Sequence, residues 1–278
     1  MDTKNFCDLT PKEYKKQAQL NWTSAPCGSN YSNKEFLSKE YFEEIEAYRY
    51  RTHPWIIKNI SSFDIKDKNV LEIGFGMGTD HLSMARKGAI MHGIDLTTRN
   101  LEVTKKRLEL YGFNSKLITG DAEHMPFEDN SMDFIYSFGV IHHSPDTEKI
   151  ISEIYRVLKP GGKCWITVYH KNSVFFWWTV YLWNHIIKGG CKKYTLKQQL
   201  SLIEYPNNNL NIIVRLYKKD EISKLFNSFS LVKTNIEHLL VGNIAILSKL
   251  ISDPERPRKL FNWLGKRWGW YVVVEAQK

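Results

Sequence analysis

The chain has 278 residues, 42% of them hydrophobic and 25% charged, with a formal net charge of +9. These values exclude a disordered or fibrous polymer and suit one large domain with additions. The charge is uneven: residues 1–65 carry 9 basic and 9 acidic side chains, residues 66–169 carry 13 and 14, and residues 170–278 carry 17 and 7.

In chain order, residues 1–65 read as a helical, aromatic-rich extension or cap. Their opening, "MDTKNFCDLTPKEYKKQ", lacks the apolar run of a secretory leader, which predicts a cytoplasmic location. The cysteines Cys7, Cys27, Cys164 and Cys191 show no paired spacing and no histidine cluster, so no metal site is expected. Tyr48 and Tyr50, in "AYRY", are candidate substrate residues, with helix packing as the competing role.

From residue 66 the pattern alternates. "NVLEIGF" (69–75), "AIMHGIDL" (89–96), "SKLITGD" (115–121), "MDFIYSFG" (132–139) and "KCWITVY" (163–169) read as strands. "TDHLSMARKG" (79–88), "TTRNLEVTKKRLELYG" (97–112) and "DTEKIISEIYRVLKPGG" (146–162) read as helices, the last stopped by Pro-Gly-Gly. Such alternation predicts a mostly parallel sheet covered by helices on both faces. "NSVFFWWTVYLWNHIIKGG" (172–190) follows the fifth strand. Its apolar run from Phe175 to Ile187 is too short for a membrane span, which needs roughly 20 residues. A lid or acceptor wall containing Phe176 and Trp177, packing against a neighbouring segment, and contact with a membrane surface are its three competing roles. A helix at 218–229 and strands at 230–239 and 270–278 complete the chain.

The chemistry gathers where strands end. "LEIGFGMGTD" spaces Gly74, Gly76 and Gly78 as G-x-G-x-G after the acidic Glu72, without the third glycine that a dinucleotide fingerprint has at 79. Asp95 closes the second strand, where it can accept two ribose hydroxyls or cap a helix; Thr97 is the better cap. Asp121 follows the third strand, and "RVLKPGG" precedes the fifth.

These elements, in this order, resemble the class I S-adenosylmethionine-dependent methyltransferases over residues 66–170. The resemblance is to their broad small-molecule group, in which a His-His pair follows the fourth strand. It implies a Rossmann-like α/β fold with a seven-stranded, mostly parallel sheet, an antiparallel last strand and helical cap segments. The methyltransferase domain would span 66–278, with an aromatic insertion at 170–215 and a second at 240–268. It also implies S-adenosyl-L-methionine as cofactor, held by Glu72, Gly74, Gly76 and Gly78 on the methionine side. Asp95 and Leu96 would hold the ribose, Asp121 and Ala122 the adenine, and Ser137 and Phe138 the sulfonium region. Phe75 replaces a residue that is often small or polar, which would reshape the pocket wall.

Methyl transfer needs a held nucleophile, excluded water and, for a hydroxyl or ammonium acceptor, a base. His142 and His143 are candidates for that base, structural packing being the alternative. Pro26-Cys27 resembles a nucleophile pair but lies in the N-terminal extension, so a catalytic Cys27 is not expected. The predicted function is methylation of a small, apolar or aromatic molecule by a monomer or homodimer without a transmembrane span. Methylation of tRNA, rRNA or DNA is the alternative; it is disfavoured because no base-stacking N/D-P-P-Y/F stretch follows the fourth strand.

Overall fold

The computed structural model describes residues 9–24, 28–204, 212–246 and 258–278. Cys27 and part of the 240–268 insertion lie outside the described residues. The sheet runs β3 (Lys116–Thr119), β2 (Ile90–Asp95), β1 (Asn69–Ile73), β4 (Met132–Phe138), β5 (Leu158–His170), β8 (Tyr271–Gln277), β7 (Leu231–Glu237). β1 to β5 pair in parallel, and β8 is antiparallel to both neighbours, as expected. An eighth strand, β6 (Leu216–Tyr217), adds to the end of β5. Two residues with no apolar alternation give such a strand no pattern in the sequence.

Side chains alternate across the sheet and divide the core. Leu71, Ile73, Ile135, Ile166 and Val274 point to one layer, closed by α6 (Thr147–Val157) and α8 (Lys219–Leu225). Val70, Phe134, Tyr136, Trp165 and Val273 point to the other, closed by α3 (Pro54–Ser62) and α4 (Thr79–Arg86). Helix α2 (Lys39–Thr52), capped by Ser38, continues this layer with α5 (Thr98–Leu110), capped by Thr97.

Helix α6 ends at Val157, earlier than its Pro-Gly-Gly predicts. The Lys159–Gly162 segment is drawn into β5 as an irregularity, in which the partner of β4 advances from Leu158 to Lys163 while β4 moves from Met132 to Phe134. Lys159 Nζ fixes this turn on Asp133, 2.8 Å from each carboxylate oxygen.

Three segments gather at the carboxyl edge of the sheet. Helix α1 (Pro11–Ser24) crosses the ends of β2 to β4 through contacts with Leu96, Asp121 and His143. The aromatic run forms a π-helix, Phe175–Ile187, against which α7 (Leu196–Glu204) packs. Helix α9 (Arg258–Trp268) packs on β7 and on residues 239–241. Among the described residues, no helix is long and apolar enough to cross a membrane.

Candidate functional site

The sheet changes direction of growth at β1, with β2 on one side and β4 on the other. In open α/β sheets that crevice is where ligands bind. The β1–α4 loop fills it with Gly74, Gly76 and Gly78, at φ 75°, 50° and 70°. Their reasons differ. A Cβ on Gly74 would stand 2.3 Å from Val140 Cγ2, and one on Gly78 would stand 2.7 Å from Thr104 Cγ2. These two glycines permit packing. A Cβ on Gly76 would meet nothing within 4 Å, so this glycine faces open space. Its carbonyl accepts a 3.0 Å hydrogen bond from Thr104 Oγ1.

Asp95 anchors the same loop. Its Oδ2 accepts from Gly76 N at 3.1 Å, and its Oδ1 accepts from Thr97 N and Oγ1 at 2.9 and 3.0 Å. The Asn100 amide donates to both oxygens. The carboxylate is buried, and burial raises its pKa against the lowering effect of these donors. Thr97, not Asp95, caps α5; Asp95 ties the capping residue to the glycine loop. Glu72 stands elsewhere: its Oε2 lies 2.8 Å from His81 Nδ1, inside the α4 layer. Burial pushes Glu72 well above the carboxylate range and His81 down to about 3.

Phe75 is 3% exposed and seats on Gly93, where a Cβ would come within 2.6 Å of its ring. It is a core residue rather than part of the pocket wall, made possible by the absent side chain on β2. Ser137 Oγ donates to Ile73 O at 3.0 Å and ties β4 to β1. Ala122 packs against the core beyond β3.

Helix α1, within the segment read as a cap, reaches this site through contacts that no local pattern marks. Lys15 Nζ bonds Asp121 Oδ2 at 2.6 Å and also Glu123, while Gln19 Nε2 donates to Leu96 O at 2.9 Å. Asp121, Glu123 and His124 bring potential metal-ligand atoms together, but the Lys15 ammonium already supplies their positive partner. Tyr14 donates from its hydroxyl to His143 O at 2.8 Å and accepts from Ile213 N at 3.1 Å. A lone Tyr and Lys at i, i+1 on a polar helix read as surface residues; only the fold reveals their partners.

The two histidines after β4 occupy a short 3-10 turn, Ile141–His143. His142 is fully buried, both ring nitrogens lack a hydrogen-bond partner, and its ring lies 4.1 Å from that of Tyr169. Burial, then His143, hold its pKa well below the usual value. His143 Nδ1 lies 2.7 Å from Ile213 O. A carbonyl only accepts, so Nδ1 carries the proton and Nε2 the basic lone pair.

Aromatic rings extend from there. Tyr169 stacks on Trp270 at 4.4 Å, and Phe138 packs 5.0 Å from Tyr271. The Arg49 guanidinium lies over Phe138 at 4.6 Å. A second histidine pair joins this group: His53 stacks on His238 at 4.3 Å and meets Phe138 edge-on. Burial lowers both, His238 to about 4. Of the remaining candidates, Phe176 is buried beside Tyr169 and Trp270, while Trp177 is 50% exposed. Tyr50 bonds Ser83 Oγ at 2.6 Å and docks α2 on α4; Tyr48 stacks on Tyr31 instead.

Residues 71–166 match the family model described as "Methyltransferase domain". The chain is 42% identical over 118 residues to phosphoethanolamine N-methyltransferase 2 of Caenorhabditis elegans, covering 42% of this chain and 27% of that protein. It is 34% identical over 107 residues to the phthiotriol/phenolphthiotriol dimycocerosates methyltransferase of Mycobacterium tuberculosis, covering 38% and 39%. The matches thus span less than two-fifths of either relative. The fold resembles that of the PH0226 protein from Pyrococcus horikoshii OT3, with a TM-score of 0.56, 16% identity, and coverage of 93% and 98%.

Proposed function

We propose that this chain, a member of the class I S-adenosylmethionine-dependent methyltransferase superfamily through residues 71–166, methylates a small, largely apolar acceptor. One observation carries the reading: the open face of Gly76, held against Asp95, lies in the β1/β4 crevice whose neighbouring edge is lined by aromatic rings. The donor set fits the cofactor. Asp95 would hold the ribose in exchange for one of its present donors, and Leu96, Asp121 and Ala122 would border the adenine. Gly74, Gly76 and Gly78, with the backbone of Ser137 and Phe138, would border the methionine part, and Glu72 would support the loop from beneath. When bound, S-adenosylmethionine supplies a methyl carbon made electrophilic by its sulfonium.

The chain then has three tasks. The Tyr169–Trp270 stack and Phe138 exclude water from the acceptor. The acceptor lone pair is held in line with the methyl group by that wall, with Phe176 behind it. His143 takes the acceptor's proton at Nε2, and neutral His142 packs behind it. Both of these relatives are named for small-molecule acceptors, one polar and one a lipid, which supports a small molecule over nucleic acid. The two described cysteines, Cys164 and Cys191, are free thiols, in keeping with action in the cytoplasm.

The test is transfer of labelled methyl groups to fractionated cell extract. Label in the organic or small-molecule fraction is expected; label in nucleic acid would overturn the substrate class. His143→Gln should lower turnover by about 10²–10⁴ while cofactor affinity holds. Unchanged turnover across pH in both His142→Gln and His143→Gln would remove the histidine base.

A further inference from the structure

The reaction proposed above uses little of the basic excess of the last third. Part of it lies on and beside two helices, the π-helix and α9. Helix α9 turns Phe261 and Gly265 inward, against Leu239. A Cβ on Gly265 would stand 3.1 Å from Leu239 N, so this face is close-packed and the helix is fixed in rotation. Its outer face is therefore set as well. Leu260, Trp263 and Arg267 share that face at helical spacing, and Trp263 is 68% exposed. Lys259 and Lys266 flank Trp263, and the Arg267 guanidinium lies 5.3 Å from the Trp268 ring.

The π-helix repeats the arrangement. Phe176 and Val180 turn inward, whereas Trp177, Trp178, Ile186 and Ile187 are exposed, Ile187 by 56%. Lys188, Lys192 and Lys193 follow directly, and Lys188 lies over the Trp183 ring. Residues 239–245 join the two helices: Leu239 and Val241 pack with Phe261, while Trp178 Nε1 and Thr179 Oγ1 donate to Ala245 O and Asn243 O.

We propose that α9 and the π-helix form a docking surface for an anionic lipid bilayer. Indoles with an apolar body and one polar N–H suit the headgroup boundary, and the surrounding Lys and Arg side chains suit negatively charged lipid. Complementarity excludes the obvious competitor: a second copy would oppose one basic surface to another. The surface adjoins the aromatic wall through Phe175, whose ring lies 4.8 Å from Trp270, so an acceptor dissolved in lipid would reach the site by a short path. The docking stands apart from the reaction and is read without turnover.

The test is co-sedimentation of the full chain with phosphatidylcholine vesicles, with and without phosphatidylglycerol. Binding is expected only with phosphatidylglycerol at low salt, and release is expected at about 0.5 M salt. Lys266→Glu with Arg267→Glu should weaken it by about fivefold or more per cation removed. Leu260→Gln with Trp263→Gln should weaken it at unchanged circular dichroism, whereas Ile90→Gln, an exposed apolar control on β2, should not. Absence of binding at low salt would overturn the proposal. So would equal binding by the α9 variants, or a solution dimer that those variants dissociate.

Discussion

The β2 side and the β5 side of the crevice are assembled by different means. Around Asp95 the partners are near in sequence: Thr97 is two residues away, Asn100 five and Gly76 nineteen. Around His143 they are distant: Tyr14 is 129 residues away, and the bond between Ile213 and Tyr14 spans 199. The first side is made by turn and cap chemistry within one βαβ unit. The second exists only when α1, residues 212–217 and the start of β8 arrive together. Such a division lets distant segments change without disturbing the local loop.

Five substitutions and one titration would break or sharpen this contrast. The largest effect is expected at Arg49, which docks α2 by bonding both carboxylate oxygens of Asp80, itself 3% exposed. Arg49→Met leaves that carboxylate buried without its cation and should cost about 3–5 kcal/mol in denaturant unfolding. A loss below about 1 kcal/mol would mean that other contacts hold the N-terminal helices.

The glycines come next. Gly74→Ala forces a Cβ into Val140 at a positive φ and should cost about 2–3 kcal/mol of stability. Gly76→Ala meets no such clash; it should cost only about 1 kcal/mol of stability but weaken cofactor binding. If the two variants behaved alike, the separation of packing glycine from ligand glycine would fail.

Acid should act on the acceptor side. His53, His142 and His238 are held below the usual 6.5, each chiefly by burial and His238 at about 4. At these three sites the unfolded chain then binds more protons than the folded one, whereas the raised Glu72 and Asp95 carboxyls act with the opposite sign. The stability these histidines contribute is fully present above pH 6.5 and falls as pH drops towards 4, by at most about 1.4 kcal/mol per pH unit for a fully buried imidazole such as His142. The partly exposed His238 contributes less. In unfolding free energies measured from pH 7 to 5, His238→Phe should lose less stability on acidification than the unaltered chain; an equal pH dependence would remove the buried-histidine account. The smallest effect is expected at Trp177, half exposed on the π-helix: Trp177→Gln should shift stability by no more than about 0.5 kcal/mol.

The contrast also explains what was legible in the sequence. The strands, the glycine loop, Asp95 and the Thr97 cap follow from periodicity and local turn chemistry, and the fold places them where those rules put them. Lys15 on Asp121 and His53 on His238 follow from no local pattern, because their partners are 106 and 185 residues distant in sequence. The setting of Phe75 likewise follows from no local pattern. Its ring turns into the core because Gly93, on the neighbouring strand, leaves it room. The aromatic run follows β5 as its position in the sequence predicts, but its inward side chains, Phe176 and Val180, are chosen by a cluster that includes Leu200, Trp270 and Tyr271, and Trp178 and Thr179 by residues 243–245.

The central claim is that the local half of the crevice is a cofactor site. Calorimetric titration of the full chain with S-adenosylmethionine tests it most directly. Binding is predicted, and Asp95→Ala should weaken it by about 10–100-fold, the loss expected for charge-assisted hydrogen bonds. An absence of binding to the folded chain, or equal affinity in Asp95→Ala, would contradict the account.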